Sequence, residues 1–120
     1  MKNRDRGTII ISTFSDEQSV RELARNVLDA RLCACVNFTR INSMYLWKGK
    51  LKDHEEFIAL FKTTRRSAEK LKKAIAMHHP YEVPEIVELK MSNVSAGYLL
   101  WLAAETSSNR IAQKRHNTAK

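Results

Sequence analysis

Two adjacent histidines, His78 and His79, stand directly before Pro80-Tyr81-Glu82-Val83-Pro84-Glu85, so two imidazoles and two carboxylates crowd into eight residues. Neutral imidazole is the commonest side-chain metal ligand, and carboxylate oxygen often accompanies it around divalent ions. Neighbouring residues of a helix diverge by about 100°, so the pair can share one ion only if the helix breaks between them. A histidine at a helix C-terminus is also favoured by the dipole and can serve as a cap alone. His54, among Asp53, Glu55 and Glu56, falls in an expected hairpin turn and His116 in the C-terminal tail; both read as solvated.

Cys33 and Cys35 would share one face of a strand with Asn37. Two thiols with no CxxC pair are too few for a structural zinc site, and a bridge between them would close a small strained loop. They read as reduced, buried packing groups, which suits a reducing compartment and a cytoplasmic address. Glu85 is placed to pair with Lys62 or Lys48 across strands. No Ser-His-Asp pattern, HExxH, phosphate-cradling glycine loop or dinucleotide glycine motif occurs, so the residues identify no reaction and the reading is non-enzymatic.

These residues need elements to hold them. The β-branched run Thr8 to Phe14 predicts a strand buried on both faces and central in a sheet. Ser15 or Asp16 caps a helix whose Val20, Leu23, Ala24, Val27 and Leu28 recur at three- and four-residue spacing, ending near Arg31. Residues 33–47 and 57–63 read as the arms of a long β-hairpin around Lys48-Gly49-Lys50. A second helix runs from Ser67 to about His79, because proline disfavours helical geometry in the residue before it. A last strand over 85–90 and a short helix over 96–102 complete the order. The expected fold is α+β: a ferredoxin-like βαββαβ sandwich with a long β-hairpin and a short C-terminal helix.

With 120 residues, 43% hydrophobic and 28% charged, and only three glycines and two prolines, the chain is a folded single domain rather than a disordered one. The expected layout is a flexible N-terminus over 1–6, one domain over 7–106 and a basic, disordered tail over 107–120. The two terminal segments carry +6 of the +8 net charge, so the charge does not define a nucleic-acid face. An RNA-recognition reading would need Gly-aromatic stacking positions where the third strand reads EEFIALFKT. No apolar run reaches membrane-spanning length, so neither nucleic acid nor membrane is an expected partner. The hairpin arms exceed the ~5–6 residues of an average strand, and their Met44, Tyr45, Leu46 and Trp47 would project as an apolar ribbon with open edges. Pairing with other subunits is the expected remedy.

At ACVN (34–37), WKG (47–49), KTT (62–64), HHPYEVPE (78–85) and YLLWL (98–102), the chain resembles the CutA-type divalent-cation tolerance family, in order over about residues 8 to 105. The resemblance implies a cytoplasmic homotrimer of ferredoxin-like subunits, similar to the PII signalling trimers, associated with copper and other divalent cations. It implies a metal site of His78 and His79 with a thiol at the end of the first strand, a position held here by Ser12. A hydroxyl is a far poorer copper ligand than thiolate, so copper(II) bound by imidazole is the expected cofactor chemistry. The alternative is a PII-like small-molecule binding or signalling module whose intersubunit clefts use Tyr45, Trp47, Lys62, Tyr81, Glu85 and Trp101.

Overall fold

The computed structural model describes residues 5–107; the expected N-terminal and C-terminal extensions fall mostly outside them. Strand β1 (Gly7–Phe14) leads to α1 (Glu17–Asp29), β2 (Cys35–Trp47), β3 (Lys50–Thr64), α2 (Arg65–His78), β4 (Val87–Lys90) and α3 (Ala96–Glu105). The strands form one antiparallel sheet in the order β2-β3-β1-β4, the expected ferredoxin-like arrangement.

Alternation along β1 sorts its side chains. Thr8, Ile10, Ser12 and Phe14 are buried, and Ile10 and Phe14 pack with Val20, Leu23 and Val27 of α1 and Leu71 and Ile75 of α2. Burying each such aliphatic contributes about 1.5–3 kcal/mol, the main term holding both helices to one face. Ile9 and Ile11 on the opposite face are only half-buried, so burial on both sides is incomplete within one chain. Asp16 caps α1 by accepting from the Ser19 amide at 2.7 Å, and this hydrogen bond holds its carboxyl below the ordinary value. Gly7 packs closely: a Cβ there would fall 2.5 Å from Met91 Sδ and 3.3 Å from Leu102 of α3, so the flexible Met91 side chain would have to shift.

Beyond Phe14↔Phe57, where β1 ends, β2 and β3 continue alone from Ile41↔Glu56 to Trp47↔Lys50. Seven further pairs at the usual rise project about 23 Å. The ribbon closes on Lys48 (φ 51°) and Gly49 (φ 79°), the paired positive dihedrals of a type I′ turn. The turn is thus only two residues, and His54 lies within β3 opposite Ser43, not in the turn.

Two further boundaries differ from expectation. Strand β2 begins at Cys35, leaving Cys33 in the preceding loop with its side chain in the helix-covered core. Val36 and Phe38 pack on that core, so Cys35 and Asn37 face the other side and the two thiols do not share a face. Strand β4 begins at Val87 rather than Glu85. Continuing its register would set Glu85 opposite Thr13, but the Thr13 carbonyl is taken by the His79 ring at 2.7 Å.

Candidate functional site: an acidic and aromatic groove

The ribbon, the end of β1 and residues 80–85 enclose a groove of about 900 Å³. Its carboxylates are Glu56, Glu82 and Glu85, joined by the imidazole of His54, and its aromatic rings are Tyr45, Trp47 and Tyr81. No lysine or arginine lines it, in a chain of net charge +8.

Two hydrogen-bonded pairs shape the walls. Glu56 is only 5% exposed and accepts from the Tyr81 hydroxyl at 2.7 Å. Burial, and then Glu56, pushes the Tyr81 phenol well up, so it remains a donor. On the ribbon, His54 Nδ1 donates to the Glu55 carbonyl at 3.2 Å, which fixes the tautomer and leaves Nε2 to accept from the Tyr45 hydroxyl at 2.8 Å. The two rings meet edge-on with centroids 5.5 Å apart.

The helix does break between the paired histidines: His78 ends α2, and His79 is extended at φ −80°, ψ 134°. Their surroundings differ. His78 is exposed and donates from Nδ1 to the Ala74 carbonyl at 3.0 Å. His79 is half-buried and stacks on Phe14 at 4.5 Å between centroids. Its Nε2 donates to the Thr13 carbonyl while Nδ1 accepts from the Tyr81 amide at 3.1 Å. Both ring nitrogens are therefore committed in the neutral form, and burial holds the ring below the ordinary histidine value.

Ser12, at the implied thiol position, is fully buried on the helix side of β1, and its Oγ has no hydrogen-bond partner. Among the described residues no group of three His, Cys, Asp or Glu side chains is arranged to hold a metal ion.

Of the other expected cleft residues, Tyr45, Trp47, Tyr81 and Glu85 line the groove. Lys62 lies on β3 between Ile9 and Cys35, and Trp101 lies on α3 against Tyr98, both outside it. Glu85 forms no ion pair with Lys62 or Lys48 among the described residues; Glu88 is the paired acid, taking Lys72 at 2.9 Å and the Thr8 hydroxyl at 2.8 Å. Cys33 is buried, with its thiol pushed up to about 12, and Cys35 Sγ lies 3.8 Å from Asn37 Oδ1. Glu56 and the Thr13 carbonyl were not anticipated. The one available signal was the acid pair Glu55-Glu56 directly before the apolar run Phe57 to Phe61.

The family model for CutA1 divalent ion tolerance protein matches residues 8–105. The divalent-cation tolerance protein CutA of Thermotoga maritima is 40% identical over 94 residues, covering 78% of this chain and 93% of that protein. The crystal structure of CutA1 from Pyrococcus horikoshii, 35% identical, superposes with a TM-score of 0.81 over 84% of this chain and 99% of its own. A structure from Archaeoglobus fulgidus, described as a periplasmic divalent cation tolerance protein, shares the fold at a TM-score of 0.82 with 24% identity, over 84% of this chain and 99% of its own. No helix among the described residues is long and apolar enough to cross a membrane. With its four-stranded sheet, its projecting hairpin and a match running from the first strand through the last helix, the chain belongs to the CutA1 divalent ion tolerance family.

Proposed function

We propose that this chain is a non-enzymatic, homotrimeric protein of the cytoplasm that binds divalent cations, copper(II) foremost, in their tolerance and homeostasis. The observation that carries the reading is the groove with three carboxylates, an imidazole and no cationic side chain in a chain whose net charge is +8. Such a cleft concentrates cations against the sign of the molecule as a whole. Its donors are oxygen and imidazole nitrogen, a set suited to copper(II) rather than the thiol-seeking copper(I).

Assembly supplies what one chain lacks. The ribbon exposes Met44 and Leu46 at 66% and 73% of their surfaces, an apolar load that pairing with other copies would bury. On this reading exposed His78 and the groove acids reach a common ion only across a subunit boundary. Both cysteines are free thiols, which fits the cytoplasmic address.

Native mass spectrometry with and without copper(II) tests both parts. A trimer that gains one ion per chain, with the gain lost in His78→Ala, supports the reading. A monomer, or a trimer that takes up no ion, overturns the corresponding part. The second outcome would favour the small-molecule module, which the groove's volume and its three aromatic rings also fit.

A further inference from the structure

One charged group of the groove is almost cut off from water. Glu56 lines the groove, is only 5% exposed and makes no ion pair among the described residues. Its Oε2 accepts from the Tyr81 hydroxyl at 2.7 Å, and no donor among the described residues reaches Oε1. Taking a carboxylate out of water costs free energy unless a cation or a full set of donors replaces the water. A single phenol is not a full set, so the second oxygen is left to meet a positively charged donor.

The rest of the lining is largely aromatic and aliphatic. Tyr45, Trp47 and Tyr81 contribute rings, and Ile41, Ile58 and Val83 contribute aliphatic surface. The face of an aromatic ring attracts a cation. The ribbon tip shows this attraction within the chain itself, where the Lys48 ammonium lies 5.7 Å from the centre of the Trp47 ring. No cation of the described residues lies over Tyr45 or Tyr81.

A metal ion and an organic cation ask different things of such a groove. A divalent ion needs several ligand atoms converging at about 2.0–2.6 Å. No three His, Cys, Asp or Glu side chains of the described residues are so arranged, and a metal would complete its shell only with a second subunit. An ammonium group needs one carboxylate oxygen, ring surface beside it and apolar room for the carbon skeleton that carries it. One chain supplies all three, and about 900 Å³ lies within the usual size of small-molecule sites.

We propose that the groove binds a small organic cation, a primary amine on an apolar body, whose ammonium donates to Glu56 and whose body packs against Tyr45 and Tyr81. The proposal rests on the reading of the groove as a seat for cations and names the class of ligand. Glu82 and Glu85, exposed at its rim, attract the cation without having to be desolvated.

Isothermal titration of the full chain with phenethylamine hydrochloride, against its neutral counterpart 2-phenylethanol and against sodium chloride at matched ionic strength, tests this. Saturable binding of one amine per chain is expected, with the alcohol about tenfold weaker for want of the charged hydrogen bond. Glu56→Gln keeps an acceptor for Tyr81 and should weaken the amine about tenfold while leaving the alcohol unchanged, which separates a lost cation seat from a lost fold. Tyr45→Leu removes a ring at an exposed position and should weaken the amine about threefold. Copper(II) is titrated separately. Amine binding by a chain that takes up no copper(II) upholds this proposal and overturns the metal reading. Copper(II) uptake without saturable amine binding overturns this proposal and leaves the metal reading standing. An amine that binds no tighter than the alcohol, or as tightly to Glu56→Gln as to the wild type, also overturns it.

Discussion

The Nε2 of His79 donates to the main-chain carbonyl of Thr13 at 2.7 Å, at the place where β4 would otherwise have continued its ladder with β1. One side chain thereby ends the strand, turns residues 80–85 away from the sheet and opens the groove those residues wall. The neighbouring His78 makes only the local bond to Ala74. The two adjacent imidazoles consequently do different work: one shapes the cleft, and the other stays available at the surface.

Substitution should separate these roles. His79→Ala removes a stacked ring and two hydrogen bonds, and a loss of about 2–4 kcal/mol in unfolding free energy is expected from such a site. His78→Ala should change stability by no more than about 0.5 kcal/mol, as exposed positions do. Urea denaturation of both variants decides it. Equal losses would mean that the latch is not what closes β4.

Protonation should act on the same latch. Burial makes the native state hold the His79 proton more weakly than the unfolded chain does, whose ordinary value is 6.5. The stability this contributes is complete above that value and is lost as pH falls through the lower, native pKa. A second decline belongs to Glu88, held below its ordinary 4.5 first by the Lys72 hydrogen bond. It is present above 4.5 and lost as pH falls further. Urea midpoints measured from pH 8 downward should show two steps, with only the upper one missing in His79→Leu.

The wall pair is open to a double-mutant cycle. Tyr81→Phe leaves the Glu56 carboxylate, 5% exposed, without its phenol donor. The expected cost is about 1–3 kcal/mol, as for an unsatisfied buried group. Glu56→Gln alone keeps an acceptor for Tyr81 and should cost less. Additive losses in the double variant would show that the two groups do not act as a unit.

Particular residues show what could be read before the fold was known. The run Thr8 to Phe14 and the spacing of Val20, Leu23, Ala24 and Val27 announce β1 and α1, because the period of a buried face is written in apolar side chains. The length of the arms around Gly49 likewise announced the ribbon. The position of His54 was not legible, since the turn uses Lys48 at φ 51°, a dihedral that lysine seldom adopts. The late start of β4 was hidden because its competitor for the Thr13 carbonyl is a side chain, not a strand. Glu56, Tyr81 and Tyr45 come from three segments, and only the register of β2 on β3 and the fold of residues 80–85 bring them to one cleft.

The ribbon makes the sharpest prediction about assembly. Met44 and Leu46 are more exposed than solvent would favour for large apolar side chains, on β2 where it and β3 project past β1. An isolated two-stranded ribbon is marginal in water, so its persistence is best explained by burial against other copies, as proposed. Leu46→Glu together with Met44→Glu would carry charges into that seam, where each unpaired ion costs several kcal/mol. The core of α1, α2 and the sheet lies elsewhere and should survive. Sedimentation should then show monomers whose helical circular dichroism is retained and whose thermal midpoint no longer depends on protein concentration. A double variant that still sediments as the wild type would place the subunit contacts away from the ribbon tip.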